Sequence, residues 1–410
     1  MRITTVFNKL LSLQGAWVRS VRFEKTAIFV AVSPRASLHR CPFPGCTYCT
    51  RAGYDSWTRT WRAVSLGAWN VFVQARSFRL ECPRHGTLHE RVAWAAPDST
   101  FTLDFEEIVA WLAKETNFTA LTRLMRISWA TVANIVKRVV GRKLDDSRLN
   151  GLYRVGLDEV SYRKGHKYIT VLANHDNGKV VEMVEGRSSK SVGKLFDALG
   201  PERTAQLETV TMDMCESFIS TVRERAPQAE IAFDPFHVVK LAGEALQEVR
   251  RGEVRELKGT DEAAFLKGTR WALLKAPENL SDQDRFRLAA VADLNTKTYR
   301  GYLLKEELRA LYNCGPRAAE KHLDAWLSWA SRSRLAPFKR LATTLRRHRE
   351  GVLAAIRLRL ANGLLEGINN KIKMLQHRAF GFHSAQALMA IVHLVCGDIP
   401  TNLPQLPISN

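Results

Sequence analysis

The sequence predicts a multidomain α+β protein, and three observations carry that expectation. Four of the seven cysteines fall in the first 82 residues, around a span rich in tryptophan and β-branched residues. Helical periodicity then takes over, and from Leu152 onward strand patterns alternate with helical ones. At ordinary domain sizes 410 residues allow roughly two to four domains, and an apolar content of 46% is enough to fill their cores.

The first module is expected at 41–98, after an N-terminal segment, 1–40. Its text, "CPFPGCTYCTRAGYD" and later "RLECPRHG", gives Cys46-x2-Cys49 and Cys82-x2-His85 separated by "WNVFVQARSFRL", which suits connecting strands. Two such knuckles bring four soft ligands to one tetrahedral Zn²⁺, so the module reads as a structural zinc ribbon. An odd cysteine count with this clustering argues against a disulfide framework. Cys41 is the competing ligand, since Cys41-x4-Cys46 is also a permitted spacing; Cys46 and Cys49 make the better pair.

Residues 101–145 read as a helix, a short turn and a second helix, with Ser128 capping the second before Trp129. In a helix-turn-helix DNA-binding domain the N-terminal residues of that second helix meet base edges. Here they would be Ser128, Trp129, Thr131 and Asn134, with Lys137 and Arg138 for phosphates. Any small helical bundle shares the pattern.

The core is expected to begin at 150–240. "YRVGLDEVSY", "KYITVLANHD" and "GKVVEMVEGR" read as a three-strand meander with a two-residue Asn-Gly turn before the third strand. A helix, a strand ending in "TVTMDM", a second helix and the strand "AEIAF" follow. That order is the order of a ribonuclease-H-like α/β sheet, in which acidic residues at strand ends meet over one face. Strand alternation lets only one of Asp158 and Glu159 join such a site, and Asp158 is the candidate. Asp213 is preferred over Asp234, because an N-cap followed by Pro at the first helical position accounts for Asp234 structurally. The role of His237 stays open. Clustered carboxylates repel, and Mg²⁺ (or Mn²⁺) relieves that cost; two ions can activate an attacking hydroxyl and stabilise a leaving oxygen at a phosphodiester.

A formal charge of +20 implies an anionic partner. It is unevenly spread: between Ser331 and His383 twelve Lys or Arg face only Glu350 and Glu366. The N-terminus is a poor signal peptide and the late run "AQALMAIVHLVCG" is too short to span a bilayer, so a cytoplasmic protein with no membrane contact is expected, with double-stranded DNA a better partner than lipid.

The ordered set "CTYCTRAGYD", "CPRHG", "ISWATVANIV", "GLDEVSYRKGHKYITVL", "VTMDMCESF", "FDPFHVVK" and "NGLLEGINNKIKMLQHRAFGF" resembles the bacterial insertion-sequence transposases of the ISL-three family over essentially the full length. The resemblance implies a DDE transposase whose catalytic, metal-holding acids are Asp158, Asp213 and Glu366. It also implies a helical insertion domain at 241–350, with the C-terminal part of the core, 351–400, carrying the glutamate. Trp271, Trp326 and Trp329 are expected in the insertion's core, or less readily stacked on bases. Asn362, Asn369 and Asn370 would flank Glu366, and Arg346, Arg347, Lys371, Lys373 and Arg378 would hold phosphates.

The expected fold is thus an N-terminal zinc ribbon, a helix-turn-helix and a ribonuclease-H-like α/β catalytic core interrupted by a helical insertion. The expected activity is that of a nucleoid-associated transposase, a homodimer because two DNA ends must be paired, that binds terminal inverted repeats and performs metal-dependent strand cleavage and strand transfer. The competing readings are a non-catalytic DNA-binding regulator on the same modules, or a ribonuclease-H-like nuclease that cuts without joining.

Overall fold

The computed structural model describes residues 1–35, 38–163, 165, 167–294, 296–360 and 363–403. The chain divides into two compact units: Met1–Asp145 with Leu375–Asn410, and Asp146–Met374.

The first unit opens with α1 (Ile3–Leu11), β1 (Ala16–Phe23) and β2 (Ala27–Pro34), then the short pair β3 (His39–Arg40) and β4 (Cys49–Thr50). The long β5 (Asp55–Leu66) and β6 (Trp69–Cys82) follow, and β7 (Gly86–His89) folds back on the end of β6. The main sheet runs β1-β2-β6-β5. Alternation along β6 buries Val71, Val73 and Ala75 on one face, against Val18, Ile28 and Val30 from the first two strands and the edge-on pair Trp61 and Trp94. Residues 1–40 are therefore not a separate segment, as expected from the sequence; they complete the sheet of the cysteine-bearing module.

Three helices come next: α2 (Leu103–Glu115), α3 (Phe118–Met125) and α4 (Trp129–Lys143). The first expected helix is in fact two, because Thr116 is extended and Asn117 caps α3 by accepting from the Ala120 N–H. The turn between α3 and α4 is tight, with Arg126 left-handed at φ 53° and Ser128 capping α4. Glu106, fully buried on α2, ties the bundle together by accepting from Ser99 Oγ, Arg138 and Arg142 at 2.8, 2.7 and 2.5 Å.

The second unit is built on β8 (Arg154–Arg163), β9 (Lys167–Asn174), β10 (Val180–Glu185), α5 (Ser189–Ala205), β11 (Thr209–Met212), α6 (Glu216–Arg225) and β12 (Glu230–Phe233). The sheet order is β10-β9-β8-β11-β12; the first three strands are antiparallel, and β11 is parallel to both of its neighbours. The turn between β9 and β10 has four residues, 175–178, closed by Asn174 and Lys179, where the Asn-Gly signal led to an expected two-residue turn. Gly178 takes its left-handed position, φ 71°, and the Asn174 side chain accepts from the Asp176 N–H.

Helices α7 (Pro235–Glu256), α8 (Asp261–Gly268), α9 (Arg270–Leu274), α10 (Asp282–Asp293), α11 (Lys297–Ala310), α12 (Pro316–Arg332) and α13 (Ala336–Arg347) follow, then α14 (Arg349–Leu358) and α15 (Gly363–Arg378). One hydrophobic core joins the sheet to these helices, running from Val155, Leu157 and Met212 to Leu246, Trp326 and Phe338. The boundary expected at 240/241 falls inside α7, and the inserted helices share the core of the sheet. Trp326 is buried and donates its indole N–H to the Leu304 carbonyl; Trp271 and Trp329 are 63% and 40% exposed, so they are not core residues as expected. Two glycines permit close approach to the sheet. A Cβ on Gly351 of α14 would lie 2.4 Å from the Phe233 ring, and one on Gly156 of β8 would lie 2.6 Å from Leu365 of α15.

Residues after Met374 return to the first unit, so the expected 351–400 piece is divided. There α16 (Ala385–Cys396) packs on α2 and α4. Among the described residues no helix is long and apolar enough to cross a membrane.

Candidate functional site

In the second unit three neighbouring strands supply acidic groups, one from within its strand and two from just past a strand end. Asp158 lies in β8, Asp213 follows β11, which pairs directly with β8, and Asp234 follows β12. Asp158 is mostly withdrawn from water. Its Oδ1 accepts from the Glu159 N–H at 2.7 Å and its Oδ2 from Asn369 Nδ2 of α15 at 2.5 Å. Burial, reinforced by the charge of Asp213, pushes its pKa up to about 6. Glu159, its strand neighbour, pairs with Arg187 at 3.1 Å and lines the same cavity as Asp158, so both members of the pair border it where only one was expected.

His237, in the first turn of α7, places Nδ1 2.5 Å from Asp213 Oδ1 and 2.7 Å from Asp234 Oδ2. Burial works against its charge, but the hydrogen bonds and charges of the two carboxylates prevail, and its pKa rises to about 10. Asp213, Asp234 and His237 have their ligand atoms within 4.8 Å of one another. Asp234 does cap α7, accepting from the Phe236 N–H at 2.9 Å with Pro235 in the first turn. That role uses one oxygen only; the other reaches His237, so the capping argument that set Asp234 aside accounts for half of its chemistry.

Glu366, exposed in the first turn of α15, lines a cavity of about 460 Å³ together with Asp158, Asp234, His237, Asn369 and Lys373. Asn362 lies outside the described residues. Sequence reasoning named Asn369 only as a neighbour of DNA and did not foresee its bond to Asp158. The signal available was the i, i+3 spacing from Glu366, which puts both on one helical face.

In the first unit Cys41, Cys46, Cys82 and His85 bring their ligand atoms within 4.8 Å of one another. Sγ of Cys46 and Cys82 are 3.9 Å apart, and His85 Nδ1 is 3.5 Å from Cys41 and 3.4 Å from Cys82. Burial raises the Cys41 thiol pKa; burial also opposes ionisation of Cys82, but donation from the Arg84 and His85 side draws it down to about 7. Cys49 is exposed on β4, outside this cluster. The choice of Cys49 over Cys41 is thereby corrected: pairing of Arg40 with Cys49 carries the latter along the strand, whereas Cys41 is buried beside Leu80 and Cys82.

The DNA candidates separate. On α4, Ser128 and Asn134 are exposed, and Thr131 and Lys137 partly so; Ser128 Oγ accepts from the Thr131 N–H. Trp129 is engaged by Phe118, Phe382 and His383 at ring distances of 5.5, 5.6 and 4.9 Å, which makes it a packing residue. Arg138 is held by buried Glu106, and Arg378 donates to the carbonyls of Lys114 and Thr116 at 3.1 and 2.6 Å, satisfying the C-terminal end of α2. These three are corrections to the expected interface. Arg346, Arg347, Lys371 and Lys373 are exposed, Arg346 touching Ser331 Oγ at 3.2 Å.

Residues 155–392 match the transposase domain of the ISL3 type, and residues 90–140 match the helix-turn-helix domain of transposase family ISL3. Across 99% of its length the chain is 37% identical to the whole of the transposase for insertion sequence element IS1557 of Mycobacterium tuberculosis. It is 27% identical to the transposase for insertion sequence element IS1001 of Bordetella parapertussis, over 92% of this chain and 95% of that one. A helix-turn-helix joined to a DDE-type domain defines a DNA transposase, an enzyme that cleaves and transfers DNA. The chain belongs to transposase family ISL3. A non-catalytic regulator is not favoured by these matches.

Proposed function

We propose that the protein binds the terminal inverted repeats of its own element, cuts DNA there by metal-dependent attack of water, and joins the freed 3′-hydroxyl to target DNA. The observation that carries this reading is a cavity lined by Asp158, Asp234 and Glu366, with Asp213, on the strand between those of Asp158 and Asp234, joined to it through His237. The sheet order β10-β9-β8-β11-β12, read as 3-2-1-4-5, supports a ribonuclease-H-like core.

The donor set fits hard divalent cations: carboxylate oxygens, one of them on an Asp158 whose ionisation is resisted by burial and a like charge. Asp158, Asp213 and Glu366 would hold two Mg²⁺ or Mn²⁺, which supply charge neutralisation and activation of an oxygen nucleophile when bound. Asn369 orients Asp158, and His237 holds Asp213 and Asp234 in register. Lys371, Lys373, Arg346 and Arg347 serve as phosphate contacts; Ser128, Thr131, Asn134 and Lys137 serve the repeat. Two ends must be paired, which favours a homodimer acting at the nucleoid.

Structural Zn²⁺ is assigned to Cys41, Cys46, Cys82 and His85, the core of a zinc ribbon. A tetrahedral site with ~2.3 Å Zn–S bonds separates adjacent sulfurs by ~3.8 Å, close to what Cys46 and Cys82 display.

A strand-transfer assay on end-containing DNA tests the whole. Joining is expected from the wild type and lost with EDTA, Asp158→Asn, Asp213→Asn or Glu366→Gln. Joining that survives those substitutions removes the metal site; cutting without joining returns the protein to the nuclease reading.

A further inference from the structure

A second cavity, about 610 Å³, runs along one face of α7, and Phe236 lines both it and the acidic cavity. That face presents Phe236, Lys240, Glu244, Gln247 and Arg251, at the three- and four-residue steps that align side chains on a helix, and Arg270 of α9 faces it. Three features set the cavity apart from a gap in packing. Its buried cations are already used: Arg250 donates to Gln247 Oε1 and the Leu266 carbonyl and Lys305 to the Leu273 carbonyl, and the half-buried Arg309 pairs with Glu278 and Glu306. Lys240, Arg251 and Arg270, by contrast, have no carboxylate partner among the described residues, and only Glu244 offsets them. Gln247 keeps a buried Nε2 amide with no hydrogen-bond partner. Finally, Phe236 is 63% exposed, a large ring held at the rim where the two cavities meet.

Its volume falls in the ~300–1,000 Å³ range of small-ligand clefts, too small for a duplex and sufficient for a nucleotide. Free cations, an unmade amide donor and an open aromatic face are together what a single nucleotide needs: phosphate contacts, an edge contact and a stacking surface. Because α7 begins at Asp234 and His237, a strand whose scissile phosphate lies over the acidic cavity has its next nucleotide beside Phe236. We propose that this cavity receives the nucleotide flanking the cut, turned out of the duplex, with its base against Phe236 and its phosphates between Lys240, Arg251 and Arg270. The proposal rests on the transposase reading above and names the part of the DNA that the second cavity holds.

The test compares cutting of two end-containing duplexes by the full-length protein at saturating concentration: one fully paired, one with an abasic site in place of the first flanking nucleotide. Wild type is expected to cut both. Phe236→Leu is expected to cut the paired duplex at least tenfold more slowly and the abasic one as fast as wild type, since no base then needs a stacking surface. The exposed triple variant Lys240→Ala/Arg251→Ala/Arg270→Ala is expected to lose at least tenfold on both. A Phe236→Leu defect of equal size on both duplexes, or full activity of the triple variant, overturns the proposal and leaves the transposase reading standing. A wild type that cuts neither duplex overturns both.

Discussion

Asn369 spends its amide on Asp158 while its own carbonyl oxygen is buried without a partner, an arrangement that costs stability and is retained at the acidic cavity. Asn369→Ala should therefore leave the fold intact and lower the cutting rate by about 10- to 100-fold, the usual range for losing a group that orients a metal ligand. Single-turnover cutting beside a thermal melt checks this; an unchanged rate removes its positioning role. At the cysteine cluster, Cys41→Ser should abolish bound zinc, measured as metal per chain after dialysis, and Cys49→Ser should leave it near one. Strand alternation did not separate Asp158 from Glu159, since both line the acidic cavity; what sets Glu159 apart is its pairing with Arg187, which no local pattern announces. The choice between Cys41 and Cys49 was not legible in the sequence either, because both spacings are permitted to zinc and only the β3 and β4 pairing separates them. Asp234 was half legible: the cap was visible, but its second oxygen has work that depends on where α7 points His237.

Among the elements, α10 shows how a local motif carries a pH dependence. Ser281 and Asp284 form a capping box, and Lys275 pairs with Asp284 at 2.6 Å. The Lys275 bond, with that of Ser281, holds the Asp284 carboxyl below its ordinary 3.8. A depressed folded-state pKa means that the contribution is complete above 3.8 and is lost as pH falls through the lower folded value. Asp284→Asn should melt earlier than wild type near neutral pH, and the gap should narrow as pH falls below 3.8; a gap that stays constant through the acid range refutes the linkage. Caps of this kind were readable from sequence, as Ser128 and Asp234 were. The split of the first DNA-binding helix at Thr116 was less so, since apolar spacing continues across it. Trp129 was not readable by local rules alone, because two of the three rings that cover it, Phe382 and His383, lie about 250 residues away in the chain.

On the scale of the molecule, a charge of +20 sets how binding responds to ions. If six to ten phosphates are neutralised, affinity for end DNA should drop about 10³- to 10⁵-fold between 50 and 200 mM salt. A slope near zero in a titration of binding against salt would falsify phosphate contact as the main source of affinity. The succession of strands and helices in the second unit was legible because each strand is bounded by its own turn or helix. The division of the chain was not, since the segment after Met374 returns to the first unit through packing and not through any pattern of its own.

That return has a consequence in time. Helices α2 and α4 await α16, and Trp129 awaits Phe382, so the helix-turn-helix unit cannot be finished on the ribosome until the catalytic unit has been made in full. At ~5–20 residues per second the delay is on the order of tens of seconds. A nascent chain that stops short never acquires a completed helix-turn-helix unit, and every copy in which that unit is finished already carries the transposase domain.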